Sequence, residues 1–448
     1  MRSRYYVWYP SKLLAMRKDR SCRPSPGRTY LSIGQDLLSV HEYRLSIYNA
    51  SLHHDFPNKQ GKKSKSIHGH EPQATMVYTD IQTLRGLSSP VDYGSGVEFA
   101  DGLATDFPNS GIQLGLWLNG TQGCMNIISG KLYDNVKALF HFLVRDLSTP
   151  KVFLRIGYEF DNPSFGYDDP NVYKLAYQSL VNTCQSLYQS SCHKKIAFVW
   201  HSWGAPKNFK LSKFYPGDRY VDWIGVSIFQ QVYPWANELL QKDENHTFPE
   251  IFAGGSLSDV RNVLDFARQK QKPIMIAEST PFFGMYLEEQ NPTILQRYQL
   301  GSRESVDIWK IWFEPVLDLI EEYDIGMWSY ISTDWNAQPM WNGTGFGDTR
   351  LSSSMSVMKH WVDLLGSPRF DSSGLECPTK HRHRSSKIHS DRDSKEAVLY
   401  SSSLVDGLRL RTETVLRSGY ELFALATVLA LLAQRVRTSR QSYYQQIQ

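Results

Sequence analysis

A chain of 448 residues, 41% of them hydrophobic, carries enough apolar mass for one large barrel or two ordinary domains, and so excludes a disordered or fibrous chain. Its net charge of +4 is too weak a field over that length to make nucleic acid the main partner of the folded part. The five cysteines, Cys22, Cys124, Cys184, Cys192 and Cys377, contain no CxxC pair and no zinc-like spacing with histidine; Cys184 and Cys192 are either one disulfide or two free thiols.

In chain order, residues 1–27 form a basic, aromatic extension without the apolar stretch of a secretory signal. Either the protein stays inside the cell or this is not the N-terminus that secreted relatives use. LSIG from Leu31 is the first predicted strand, followed by a polar, Lys-rich insert from His53. ATMVYTD from Ala74, IQLGLWL from Ile112 and VFLRIGY from Val152 are the next three. Asp169, Pro170 and Asn171 open a helix through Tyr188, because proline costs nothing in a first turn whose N–H groups lack partners anyway. IAFVW from Ile196 and VDWIGVSIF from Val221 are strands five and six. Ser256 with Asp259 reads as a capping box, PIMIA from Pro273 is strand seven, and Ser302–Tyr323 is a helix kinked at Pro315. GMWSYIS from Gly326 is the eighth strand. Eight strands alternating with helices predict an α/β fold, a (β/α)8 barrel over residues 28–368.

Residues 369–448 read as a polar, largely disordered tail, with a short apolar helix near 420–434 whose run of 12, Leu422 to Ala433, is too short to span a bilayer. Sequons at Asn49, Asn119, Asn245 and Asn342 fit an extracellular protein.

In such a barrel chemistry projects from the C-terminal strand ends. Glu159 follows the fourth apolar run and Glu278 the seventh. Either alone reads as a surface carboxylate or a cap; together they have the residue types that glycoside hydrolysis needs, two carboxyls about 5 to 5.5 Å apart for a covalent double displacement. Aromatics are 13% of the chain, with 12 Trp and 25 Tyr, and flat rings serve either a core or the apolar faces of sugars. Trp117 ends strand three, Tyr158 precedes Glu159, His201 and Trp203 follow strand five, and Phe229 ends strand six. Trp328 lies on strand eight, with Asp334 and Trp335 after it; all are candidate substrate contacts. Asp36 after strand one also faces the mouth. Asp222 begins a strand and is read as structural, while Asn119 is expected unmodified because a glycan there would block the cleft.

The motifs RIGYEF around Arg155 and Glu159, YVDWIGVSIF from Tyr220, KPIMIAES from Lys272 and MWSYISTDW from Met327 resemble those of clan A glycoside hydrolases, within them family 26. The resemblance implies a retaining hydrolase of β-linked, mannan-like polysaccharide, a mannan endo-1,4-β-mannosidase type. Glu159 would be its acid/base, Glu278 its nucleophile, and Trp328 the ring beneath the cleaved sugar. It also implies no cofactor or metal, a polysaccharide or oligosaccharide as partner rather than nucleic acid or membrane, a monomer, and extracellular action. Two positions depart from the family pattern. Tyr158 stands where family 26 usually has His, and Phe229 where the clan often has a Tyr or His that hydrogen-bonds the nucleophile; Tyr233 is the expected substitute. A noncatalytic glycan-binding barrel is therefore the alternative, with a clan A enzyme on another β-glycan as a third reading.

Overall fold

Each of the eight apolar runs is a strand, and the strands pair in parallel and in sequence order into a closed barrel. The computed structural model describes residues 21–53, 71–204, 210–233, 255–285, 307–370 and 374–377. The strands are β1 (Tyr30–Gly34), β2 (Ala74–Asp80), β3 (Gly111–Trp117) and β4 (Val152–Ile156), then β5 (Ile196–Ser202), β6 (Trp223–Ile228), β7 (Ile274–Ser279) and β8 (Met327–Ile331). The first helices are α1 (Leu37–His53), α2 (Ala100–Asp106), α3 (Gly120–Ile128), α4 (Tyr133–His141) and α5 (Pro170–Tyr188). They are followed by α6 (Ser190–Lys195), α7 (Leu211–Phe214), α8 (Leu257–Gln269), α9 (Glu314–Tyr323) and α10 (Met355–Leu365). The expectations for residues 1–20, for the polar insert over 54–70, for the sequon at Asn245 and for the tail from 378 onward lie outside the described residues.

Strand periodicity sorts the side chains. Tyr30, Ala74, Phe153, Ala197, Trp223, Met275 and Met327 point inward and fill the lower barrel. Their neighbours Leu31, Val152, Leu154, Ile196, Ile224 and Ile276 belong to the larger core that includes the helices. The helix signals work as local chemistry requires. Asp169 accepts from the Asn171 and Val172 amides ahead of Pro170, and Ser256 and Asp259 form a reciprocal capping box. Pro315 lies inside a helical stretch that runs unbroken over residues 308–323. A wide π-turn, Trp309–Phe313, leads directly into α9, where Pro315 is the second residue.

Two features shape the ends of the barrel. At the bottom, Cys22 and Cys377 are disulfide-bonded, Trp223 Nε1 donates to the Ser21 carbonyl at 2.5 Å, and the Leu375 amide donates to the Asn109 carbonyl at 2.7 Å. A second disulfide, Cys184–Cys192, ties α5 to α6, deciding the alternative the sequence left open, while Cys124 is a buried free thiol. At the top, β6 and β7 slip register: Val226 pairs with Ile276 but Ser227 pairs with Glu278, which leaves Ala277 as an extra residue. The resulting bulge turns Glu278 inward, where strict alternation after Met275 and Ala277 would have sent it out.

Candidate active site

Glu159 lies just past β4, at φ +50°, two residues after Gly157 at φ +54°. A glutamate in the left-handed region is uncommon, and its surroundings hold it there. The Asn162 amide donates to the Glu159 carbonyl at 2.8 Å while Asn162 Nδ2 donates to Glu159 Oε2 at 3.0 Å. Ser227 Oγ, from β6, donates to Oε1 at 2.6 Å. Burial first, then the charge of Glu278, pushes the Glu159 carboxyl up to about 8.

Glu278 accepts a hydrogen bond from Arg155 Nη1 in a buried ion pair. Arg155 rises from β4, with its guanidinium 4.9 Å from the Tyr78 ring centre and 5.3 Å from that of Tyr158. Gly115 makes room for this arrangement. A Cβ there would come within 2.4 Å of the Tyr78 ring and 3.0 Å of Arg155 Nη2. His201, fully buried on β5, lies between the two carboxyl systems, 3.4 Å from Arg155 Nη1 through Nδ1 and 3.0 Å from Ser227 Oγ through Nε2. Burial and the Arg155 charge hold the imidazole well below its ordinary range, hence neutral.

One donor atom each from Glu159, His201 and Glu278 lie within 4.8 Å of one another, close enough for the group to hold a cation geometrically. Arg155 already places a full positive charge against Glu278, and both ring nitrogens of His201 are engaged, so the set is organised by hydrogen bonds.

The other sequence-predicted residues divide. Trp117 is 37% exposed at the end of β3, and half-buried Tyr158 packs edge-on to Tyr78 and Phe165, so both reach the mouth. Trp203 is buried, its amide donating to Asp161, whose carboxyl burial raises to about 6. Trp328 is not a platform. It is fully buried, packs against Trp361, Phe370 and Tyr330, and donates from Nε1 to Ser279 Oγ at 2.8 Å. The reason is parity: Met327 and Ser329 take the inward positions of β8, so Trp328 faces the helices. Trp335 is likewise core, stacked on Phe346, with Nε1 on Thr349. Asp334 accepts from the Asn336 amide and lies 3.6 Å from Arg350. Asp36 caps α1 through the Leu38 and Ser39 amides, and Asp222 accepts from the Phe198 amide at the bottom.

Phe229 packs edge-on against Phe346, and Tyr233 spends its hydroxyl on the Phe282 carbonyl, so neither bonds Glu278. Arg155 does that from β4 instead. Sequence reasoning looked one step too far along strand six. The inward residue at its end is Ser227, two before Phe229, and it serves the other glutamate. Tyr78 was also missed, although alternation in ATMVYTD places it on the same face as Ala74.

A parallel eightfold barrel with paired glutamates ending β4 and β7 is the arrangement of the clan A glycoside hydrolases, and this chain resembles them and their family 26. No family model matches the chain. Its relatives include a β-1,3-xylanase of an Alcaligenes species, 26% identical over 364 residues that cover 76% of this chain and 64% of that protein. A β-1,3-xylanase of a Vibrio species is also 26% identical, over 76% of this chain and 65% of its own length. The chain thus spans less than two thirds of these curated relatives. Among solved structures, a family 26 β-mannanase from Bacteroides ovatus aligns at TM-score 0.46 and 11% identity, over 83% of this chain and 97% of that one.

Proposed function

We propose that this protein is a retaining glycoside hydrolase of β-linked polysaccharide, with Glu278 as nucleophile and Glu159 as acid/base. One observation carries the reading: two carboxyls with oxygens within 4.8 Å have opposite surroundings, an arginine on one and burial plus a neighbouring charge on the other. Glu278 attacks the anomeric carbon as a carboxylate while Glu159, protonated at neutral pH, gives its proton to the leaving oxygen. Attachment of the sugar consumes the charge of Glu278, the electrostatic reason for Glu159 to hold a proton weakens, and Glu159 then deprotonates the attacking water. Trp117, Tyr158 and Tyr78 offer ring faces to the sugar at the rim.

The substrate is best sought first among β-1,3-xylans, because both sequence relatives are named for that activity. β-Mannan is the second reading, supported by the strand motifs. Two disulfides fit an oxidising, extracellular setting, and among the described residues no helix is long and apolar enough to cross a membrane. Incubation with β-1,3-xylan, β-1,4-mannan and β-1,4-xylan, followed by reducing-end release and NMR of the first anomer formed, tests the proposal. Release of the β-anomer from one of them is expected. Tight binding without release would assign the barrel to glycan recognition instead.

A further inference from the structure

Between the two glutamates runs a chain of hydrogen bonds that the double-displacement reading does not require: Glu278, Arg155, His201, Ser227, Glu159. Its polarity is fixed from one end. A guanidinium only donates, so His201 Nδ1, 3.4 Å from Arg155 Nη1, must be the acceptor nitrogen of a neutral ring, and Nε2 carries the hydrogen. Nε2 therefore donates across 3.0 Å to Ser227 Oγ. With a lone pair of Ser227 so occupied, its hydroxyl hydrogen is free for one partner, Glu159 Oε1 at 2.6 Å. No other orientation satisfies all members, and His201 and Ser227 are completely buried, so water does not compete.

We infer that His201 and Ser227 are positioning residues that lock a one-way donor onto Glu159 and thereby favour its ionised form in the second half of the reaction. The inference rests on the hydrolase reading above and names two residues that act through Glu159 rather than on substrate. A hydroxyl locked as donor stabilises the carboxylate over the acid, and leaves a protonated Glu159 to carry its hydrogen elsewhere than on the Ser227 contact. The first step works against this bias and the second with it. Because the polarity starts at Arg155, the nucleophile's own partner sets the hydrogen-bonding state of the acid/base.

The groups facing Glu159 are Glu278 from β7, His201 of β5 through Ser227 of β6, and Asp161, Asn162 and Tyr158 from its own loop. Ser227 is neutral and donates directly to the Glu159 carboxyl, so its removal deletes that hydrogen bond without changing the charge that faces Glu159. Ser227→Ala should slow the second step about ten-fold, the effect of losing a hydrogen bond to a charged group. It should also move the alkaline limb of kcat/KM upward by about one pH unit. On an aryl β-glycoside cleaved by the wild type, kcat then falls more than kcat/KM, and a pre-steady-state burst of phenol marks accumulating glycosyl-enzyme. His201→Gln, which keeps one donor and one acceptor, should retain most of the wild-type profile, whereas His201→Leu should reproduce Ser227→Ala. Equal losses in kcat and kcat/KM with an unmoved alkaline limb in folded Ser227→Ala protein would overturn the inference. So would His201→Leu matching His201→Gln. Failure of the wild type to hydrolyse any substrate would instead remove the hydrolase reading itself.

Discussion

Replacing Glu278 by Ala removes the attacking atom, so turnover should collapse for every substrate whatever its leaving group. Glu159→Ala should leave the first step on a good aryl leaving group largely intact and stall the second, and azide, which needs no base, should restore turnover as the β-glycosyl azide. Product NMR separates the roles: an inverted azide from Glu278→Ala is the expected complement, and a β-azide there would mean that the assignments are reversed. The carboxyl of Glu159, pushed to about 8 by burial, gives a second residue-scale expectation. Its folded value exceeds the ordinary 4.5, so the native state holds the proton between those values while the unfolded chain releases it. Stability on this account is full below about 4.5 and declines as pH rises toward about 8. Glu159→Gln should consequently gain stability relative to wild type at pH 8 compared with pH 5, measured by denaturant midpoints; a difference independent of pH would contradict the assigned shift. Trp328→Ala, at a fully buried ring, should cost about 3–5 kcal/mol in the same measurement. Loss of substrate binding without loss of stability would restore it to the cleft.

Strand order, two helix caps and the positions of the two glutamates were legible in the sequence, because each depends on neighbours along the chain: alternation, Pro170 after Asp169, Asp259 after Ser256. What escaped depends on which face a residue takes once the strands are in register. Trp328 differs from an inward ring by one position, and the register slip at Ala277 reverses the parity that alternation alone would assign to Glu278. Ser227 was legible in principle, as the inward residue of GVSIF, but only if the strand is known to end at Ile228. At this scale Gly115→Ala is informative. The added methyl meets the Tyr78 ring and Arg155, so kcat should fall at least ten-fold on the scale of misplaced catalytic groups, with the far-UV spectrum unchanged. An Ala variant of wild-type activity would show that β3 does not need the gap.

For the molecule as a whole, the disulfide Cys22–Cys377 closes a loop of 355 residues by joining segments that both meet the barrel bottom. Its replacement by Ser at both positions should lower unfolding free energy by about 2–5 kcal/mol, read from guanidinium titration, whereas Cys184–Cys192, spanning 8 residues, should matter less. Equal effects would show that native strain, and not loop length, governs them. The same connection sets an order of events during synthesis. β1 pairs along its whole length with β8 and at only two positions with β2, so the first strand waits for Met327–Ile331 before most of its amides find partners. The covalent seal waits longer, until Cys377 has left the ribosome. A nascent chain halted near residue 320 therefore presents an open, unsatisfied edge on both sides of the unfinished sheet. The growing chain is thus a client for chaperones until its eighth strand emerges, and only then a barrel.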